Sequence, residues 1–157
     1  MRHAFVFATA LAVCLAPSPL HADLIIEEVV DGTLAGGQPK FVEILNAGTD
    51  CEFLGDLQLC YYTNGGTVPT GCFAFDDIFL APGASITVAF EHPWNTACDP
   101  SGAVTCFEYV YGFAPGGFLG NQGNFISGDD VIALRVETTT EVLDLFGVIG
   151  VDGTGTA

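Results

Sequence analysis

Apolar and polar positions alternate in short runs along this chain, and no long segment carries a helical period. Leu24–Val30 (Leu-Ile-Ile-Glu-Glu-Val-Val) predicts a first strand, ended by Asp31-Gly32. Lys40–Asn46 predicts a second, ended by Ala47-Gly48, with turn residues filling 33–39. Phe53–Tyr62 predicts one kinked third strand with Gly55 as its bulge, and Asn64-Gly65-Gly66 is a turn signal. Gly71–Phe75 and Ser85–Phe90 predict two more strands, separated by Ala81-Pro82-Gly83.

Residues 91–127 are irregular in pattern, and Phe107–Tyr111 fits either a short helical turn or a strand. A hairpin follows over Gly128–Gly147, its two strands joined by Glu137-Thr138-Thr139-Thr140. Ile132, Leu134 and Val136 share one face, with Arg135 opposite. On the returning strand Leu143 and Leu145 share a face, and Asp144 lies with Val142 and Phe146 on the other. The alternation leaves open which face is buried. Seven or so short strands separated by turns predict an all-β sandwich or barrel.

The N-terminus departs from this pattern. Met1-Arg2-His3 precedes an apolar run from Ala4 to Ala16, then Pro17, Pro19 and a small residue at Ala22. This order is that of a secretory signal, with cleavage expected after Ala22. The run is too short for a membrane anchor, and the prolines interrupt its continuation. Cys14 follows Leu-Ala-Val and lacks the small residue before it that a lipoprotein signal requires. Taking the first 22 of 157 residues away leaves 135, enough for one domain over 23–157.

Charge narrows the partners. The formal net charge is −16, and loss of Arg2 makes it −17. Lys40, Arg135 and His92 are then the only basic side chains left. Such a surface repels phosphate backbones and anionic bilayers, so direct nucleic-acid binding is not expected, nor a membrane span after signal cleavage. Half of the residues are hydrophobic and the acids are dispersed, which excludes a disordered acidic chain.

Five cysteines lie beyond residue 22: Cys51, Cys60, Cys72, Cys98 and Cys106. An exported chain favours disulfides over zinc, and no Cys-x-x-Cys pair is present. Cys60 with Cys72, and Cys98 with Cys106, each bracket a turn-rich loop and are the expected pairs. Spacing alone also allows Cys51 with Cys60 or Cys72. An odd count leaves one thiol free or paired between chains.

Several of these stretches together resemble the lamin-tail domain family in its secreted bacterial form. They are Leu24–Val30, Lys40–Asn46, Glu52–Leu59, Leu80–Val88, Ser127–Leu134 and Val142–Gly147, with Val148–Gly155 behind them. Each is weak alone, and their order and spacing carry the likeness over nearly all of the chain beyond residue 22. The resemblance implies an immunoglobulin-like β-sandwich of about seven to nine strands. It also implies a non-catalytic module with a binding, anchoring or scaffolding role, of a kind often attached to exported nucleases, phosphatases or proteases. The cysteines are extra to the family pattern. Similar domains run on into an aromatic-containing last strand, so a chain ending at Ala157 is expected to leave one sheet edge open.

The candidate chemistry is sparse. Glu28 and Glu43, on the first two strands, are the pair on which a small extracellular hydrolase would depend. Asp129 and Asp130, helped by Asp76, Asp77 or Asp152, are candidate oxygen ligands for a calcium-dependent adhesion module, and no other cofactor is expected. The plainer reading is that these acids hold turns. His92 has no nucleophile elbow to serve. Trp94, if exposed, could grip a sugar ring or a partner. The glycines at 116, 117, 120 and 123 do not precede Lys-Ser/Thr and so form no phosphate loop. The expected function is a secreted, extracellular or periplasmic binding module whose partner is an unknown protein or polysaccharide surface.

Overall fold

The computed structural model describes residues 23–34, 37–91, 96–119 and 126–153. The signal segment 1–22, with Cys14, lies outside these, as do His92 and Trp94.

Two four-stranded sheets face each other. The first contains β1 (Leu24–Leu34), β2 (Gln38–Asn46), β7 (Ser85–Ala89) and β8 (Gly117–Phe118), in the order β1-β2-β7-β8. The second contains β4 (Leu57–Tyr62), β5 (Gly71–Ala74), β9 (Val131–Val136) and β10 (Val142–Phe146), in the order β10-β9-β4-β5. Two short strands, β3 (Glu52–Phe53) and β6 (Phe79–Leu80), pair separately. One six-residue helix, α1 (Cys106–Tyr111), lies between β7 and β8 in sequence. Neighbours are antiparallel except β7 with β8. The runs β1-β2-β7 and β5-β4-β9-β10 follow the strand order of an immunoglobulin-type sandwich. The chain is therefore an all-β sandwich, with ten strands among the described residues against the seven to nine expected.

Strand alternation builds the core. Leu24, Val42, Ile44, Val88 and Phe90 from one side meet Leu57, Leu59, Tyr61, Ile132 and Leu134 from the other. The hairpin's Ile132 and Leu134 thus point inward, and Val136 packs against them. Arg135 faces outward, where it donates to the Tyr62 hydroxyl at 3.3 Å. With its amide turned carbonyl-first, Gln58 accepts from the same guanidinium at 3.1 and 3.2 Å. Each sheet also buries part of its outer face. Ile149 covers Cys60, Tyr62, Val131 and Ala133 of the second sheet. Phe107 of α1 covers Phe41 and Ala89 of the first.

The sandwich is closed along both sides by contacts between edge strands. β1 and β10 each carry an irregularity, at Ile26–Glu28 and at Val142–Asp144. There the Asp144 carboxylate accepts the Ile26 N–H at 2.7 Å, tying one sheet to the other. This corrects the simple alternation expected of β10. Leu143 is the extra residue and packs on the core, whereas Leu145 is exposed. Such bulged edges are poor templates for pairing with another chain. On the opposite side the Phe73 ring of β5 lies against the backbone of Gly117 in β8, where a Cβ would collide with it.

Three further boundaries differ from the sequence pattern. The segment Phe53–Tyr62 is not one kinked strand. It breaks at a turn in which the Leu57 N–H returns to the Leu54 carbonyl at 2.9 Å, so β3 and β4 join different sheets. β1 runs on past Asp31-Gly32 to Leu34, because Gly32 has no side chain to collide with the Gln38 and Pro39 carbonyls across the hairpin. Finally, β8 and α1 both fall inside the stretch expected to be irregular.

The expected disulfides are present. Cys60 and Cys72 sit directly opposite each other on β4 and β5, and Cys98 bonds Cys106 at the start of α1. Cys51 is disulfide-bonded as well, and no described cysteine is free. Cys51 is therefore not paired with Cys60 or Cys72. No helix among the described residues is long and apolar enough to cross a membrane.

Candidate binding surface

The exposed part of the first sheet's outer face is built in rows. Glu28, Glu43 and Thr87 stand side by side across β1, β2 and β7, and Val30, Phe41 and Ala89 form the next row. The two glutamates expected to act together are thus direct cross-strand neighbours. Like charges in that relation oppose folding. The Glu43 carboxylate is engaged by the Ser85 hydroxyl. Both acids lie on an open sheet face.

The second row is roofed by α1, and the local sequence dictates the helix. Thr105 caps it through a reciprocal capping box. The Thr105 hydroxyl accepts the Glu108 N–H at 3.2 Å, and the Glu108 carboxylate accepts the Thr105 N–H at 3.1 Å. The buried Glu91 takes a third donor, the Phe107 N–H, at 2.9 Å. Gly112 then ends the helix in a left-handed conformation (φ 79°) with its N–H on the Glu108 carbonyl. The Cys98–Cys106 bond ties the first helical residue to the preceding loop.

That loop is ordered by Asp99. Its carboxylate accepts the Ser101 hydroxyl at 2.6 Å and the Ser101, Ala103 and Val104 amides at 2.9, 2.7 and 3.1 Å. The Ser101 hydroxyl first, then the Ser101 and Ala103 amides, hold its pKa down from 3.8 to about 2. A pKa lowered on folding stabilises the native state above the unfolded value and is lost as pH falls through the folded one. The Ser101, Ala103 and Val104 amide resonances are therefore expected to move together with a midpoint near pH 2. A midpoint near 4 would show that the carboxylate is not so held. Asp99→Ala is expected to abolish the transition.

Helix α1 carries an aromatic shelf. Phe41, Phe107, Tyr111 and Phe113 stack edge to face or tilted, with ring centroids from 4.9 to 5.4 Å for the Phe41 and Phe107 pairs and 6.4 Å for Tyr111 with Phe113. The inner rings are buried, whereas Tyr109, Val110, Tyr111 and Phe113 are between 43% and 56% exposed. Burial, and then the charge of Glu28, push the Tyr111 phenol above its usual value of 10. Glu28 and Tyr111 are thus electrostatic neighbours.

Two small clefts open beside the shelf. One, of about 300 Å³, lies between α1 and the β1–β2 hairpin and is lined by Val30, Leu34, Gln38, Pro39, Val110 and Tyr111 among others. The second, of about 360 Å³, is lined by Leu34, Ala97, Cys98 and Tyr109. The half-exposed Leu34 borders both.

The other expected ligands are placed differently. Asp130 is buried and accepts the Ser127 N–H at 2.8 Å and the Asn64 N–H at 3.2 Å, and Asp129 accepts the Ser127 hydroxyl at 2.6 Å. These acids hold the turn before β9 against the turn after β4. Among the described residues no three His, Cys, Asp or Glu side chains form a group that could hold a metal ion. The shelf itself was not foreseen. Its signal was Thr105-Cys-Phe-Glu108, which reads as a helix start, followed by three aromatics within six residues.

No protein-family model matches the chain, and no curated protein matches it.

Proposed function

We propose that this protein is an exported, non-catalytic binding module of the lamin-tail type. The observation that carries this reading is the half-exposed shelf of Tyr109, Tyr111 and Phe113, beside the acid row of Glu28 and Glu43. Aromatic side chains held rigidly by their neighbours lose little entropy on contact, which makes them good binding anchors. The shelf rests on a capped, disulfide-tied helix and a sheet, so it needs no rearrangement to meet a partner. The strand order supports the lamin-tail reading. The two disulfides and the N-terminal sequence pattern support export.

The hydrolase reading assigns Glu28 and Glu43 to acid–base work. They lie on an open sheet face and line neither of the two clefts. The Glu28→Gln and Glu43→Gln single and double variants separate the readings. As a binding module, the wild type releases no reducing sugar from polysaccharides, and neither do the variants. Relief of the like-charge pair leaves the Glu28→Gln stability unchanged or raised by up to about 0.5 kcal/mol. Measured hydrolysis by the wild type that either variant loses while still folded would establish the enzyme instead.

A further inference from the structure

We infer that the two clefts on either side of Leu34 bind an extended, basic segment of a partner protein, seating a lysine or arginine side chain against Tyr111 beside Glu28. This rests on the binding-module reading and names its partner.

Three observations converge on a cation. First, both described basic side chains are consumed by the fold. Lys40 is buried, paired with Asp31 at 2.8 Å and bonded to the Ile126 carbonyl. Arg135 is held by Tyr62 and Gln58 on the other sheet. Asp31, which lines the first cleft, is neutralised by Lys40, whereas Glu28 and Glu43 in the row beside the shelf have no basic partner among the described residues, and the whole chain, at net −16, attracts cations over long range.

Second, an aromatic ring and an acid stand together at the first cleft. Tyr111 lines it, is 43% exposed and is the electrostatic neighbour of Glu28, and aromatic rings beside a carboxylate attract cations.

Third, the walls are largely apolar. Leu34, Val110 and Pro39 suit the aliphatic stem of a long basic side chain, which buries its methylenes and keeps its charge at the rim. Each cleft is at the small end of ligand sites, which run from about 300 to 1,000 Å³. Two of them flanking one leucine suit successive side chains of an extended peptide better than one bulky molecule.

The test titrates the full oxidised chain with a short peptide of alternating arginine and leucine, with its glutamate counterpart, and with cellohexaose. The basic peptide is expected to bind saturably and the other two not at all. Glu28→Gln should weaken binding about tenfold, the loss of one charge-assisted contact. Leu34→Arg, which places a fixed cation between the clefts, should abolish it. Both variants should melt as the wild type does, because both positions are solvent-accessible. Equal binding of the basic peptide to all three proteins overturns the inference, since attraction would then be general. Binding of cellohexaose that Leu34→Arg removes also overturns it, while the binding-module reading survives. Polysaccharide hydrolysis that Glu28→Gln removes overturns both.

Discussion

Replacing Cys60 and Cys72 together with alanine is expected to lower the stability of the oxidised chain by about 3 kcal/mol, read from denaturant unfolding curves whose slope rises as the unfolded chain is freed. The bridge spans a sequence separation of 12. Closing a loop of that size restricts the unfolded chain by about this amount. For a domain of this size the loss corresponds to a melting temperature roughly 10 °C lower. The native state should change little, because Cys60 and Cys72 are already opposed by the β4–β5 ladder. One consequence is local. β5 is an edge strand whose Phe73 rests on the Gly117 backbone of the other sheet. Amide exchange in β5 and β8 should therefore accelerate more than in β2 or β9. A loss under about 1 kcal/mol would show that the unfolded chain is already restricted across this loop, and that the bridge adds little.

That bridge was legible because both of its physical determinants are local. Turn residues fill the span between the cysteines, and two apolar runs flank it. The alternation of β9 was legible as well, with Ile132, Leu134 and Val136 on one face, but only the packing of the two sheets decides that this face points inward. What pattern could not show is where alternation stops. β10 breaks it at Leu143, because the strand bulges to bring Asp144 to the Ile26 amide. An aspartate within an apolar strand looks like an outward residue, and its partner lies 118 residues away. The break between β3 and β4 is hidden similarly, since Leu54 and Leu57 are both fully buried and read as one apolar run.

The binding surface was half legible. Glu28 and Glu43 fall at matching positions of a hairpin, and their register follows from the two strands. The shelf required knowing that Phe107–Tyr111 is a helix. Six residues are too few to show a 3.6-residue period, and the run's aromatic, β-branched content favours a strand. Capping decides it instead, through Thr105, Glu108 and Glu91. Of these, Glu91 lies 16 residues from the amide it serves. Adjacent aspartates can be read in sequence either as ligands or as turn-formers, and Asp130 accepts the Ser127 and Asn64 amides of the turns beside it.

Glu91→Ala is therefore expected to be the most damaging single change at a charged position, costing about 3 kcal/mol. Glu91 is fully buried. Its removal leaves the Phe107 N–H without an acceptor in a site where Phe107 is itself only 1% exposed, and it also leaves a void the size of the lost side chain. The orphaned donor costs about 1–3 kcal/mol and the void adds to it. Glu91→Gln keeps an oxygen acceptor of nearly the same shape. It forfeits the charge-assisted bond and the favourable placement of an anion at a helix N-terminus, so it should cost about 1 kcal/mol. The ordering of the two variants carries the argument. If alanine and glutamine cost the same, the carboxylate is not the helix's acceptor, and α1 is held by the Thr105 capping box and Cys98–Cys106 alone. If glutamine rescues most of the loss, the buried acid positions the shelf. Near-ultraviolet circular dichroism should then report it directly, because Tyr109 and Tyr111 ride on the helix that Glu91 anchors. The alanine variant would lose their signal at temperatures where the two sheets remain folded, and with it any ligand that the shelf holds.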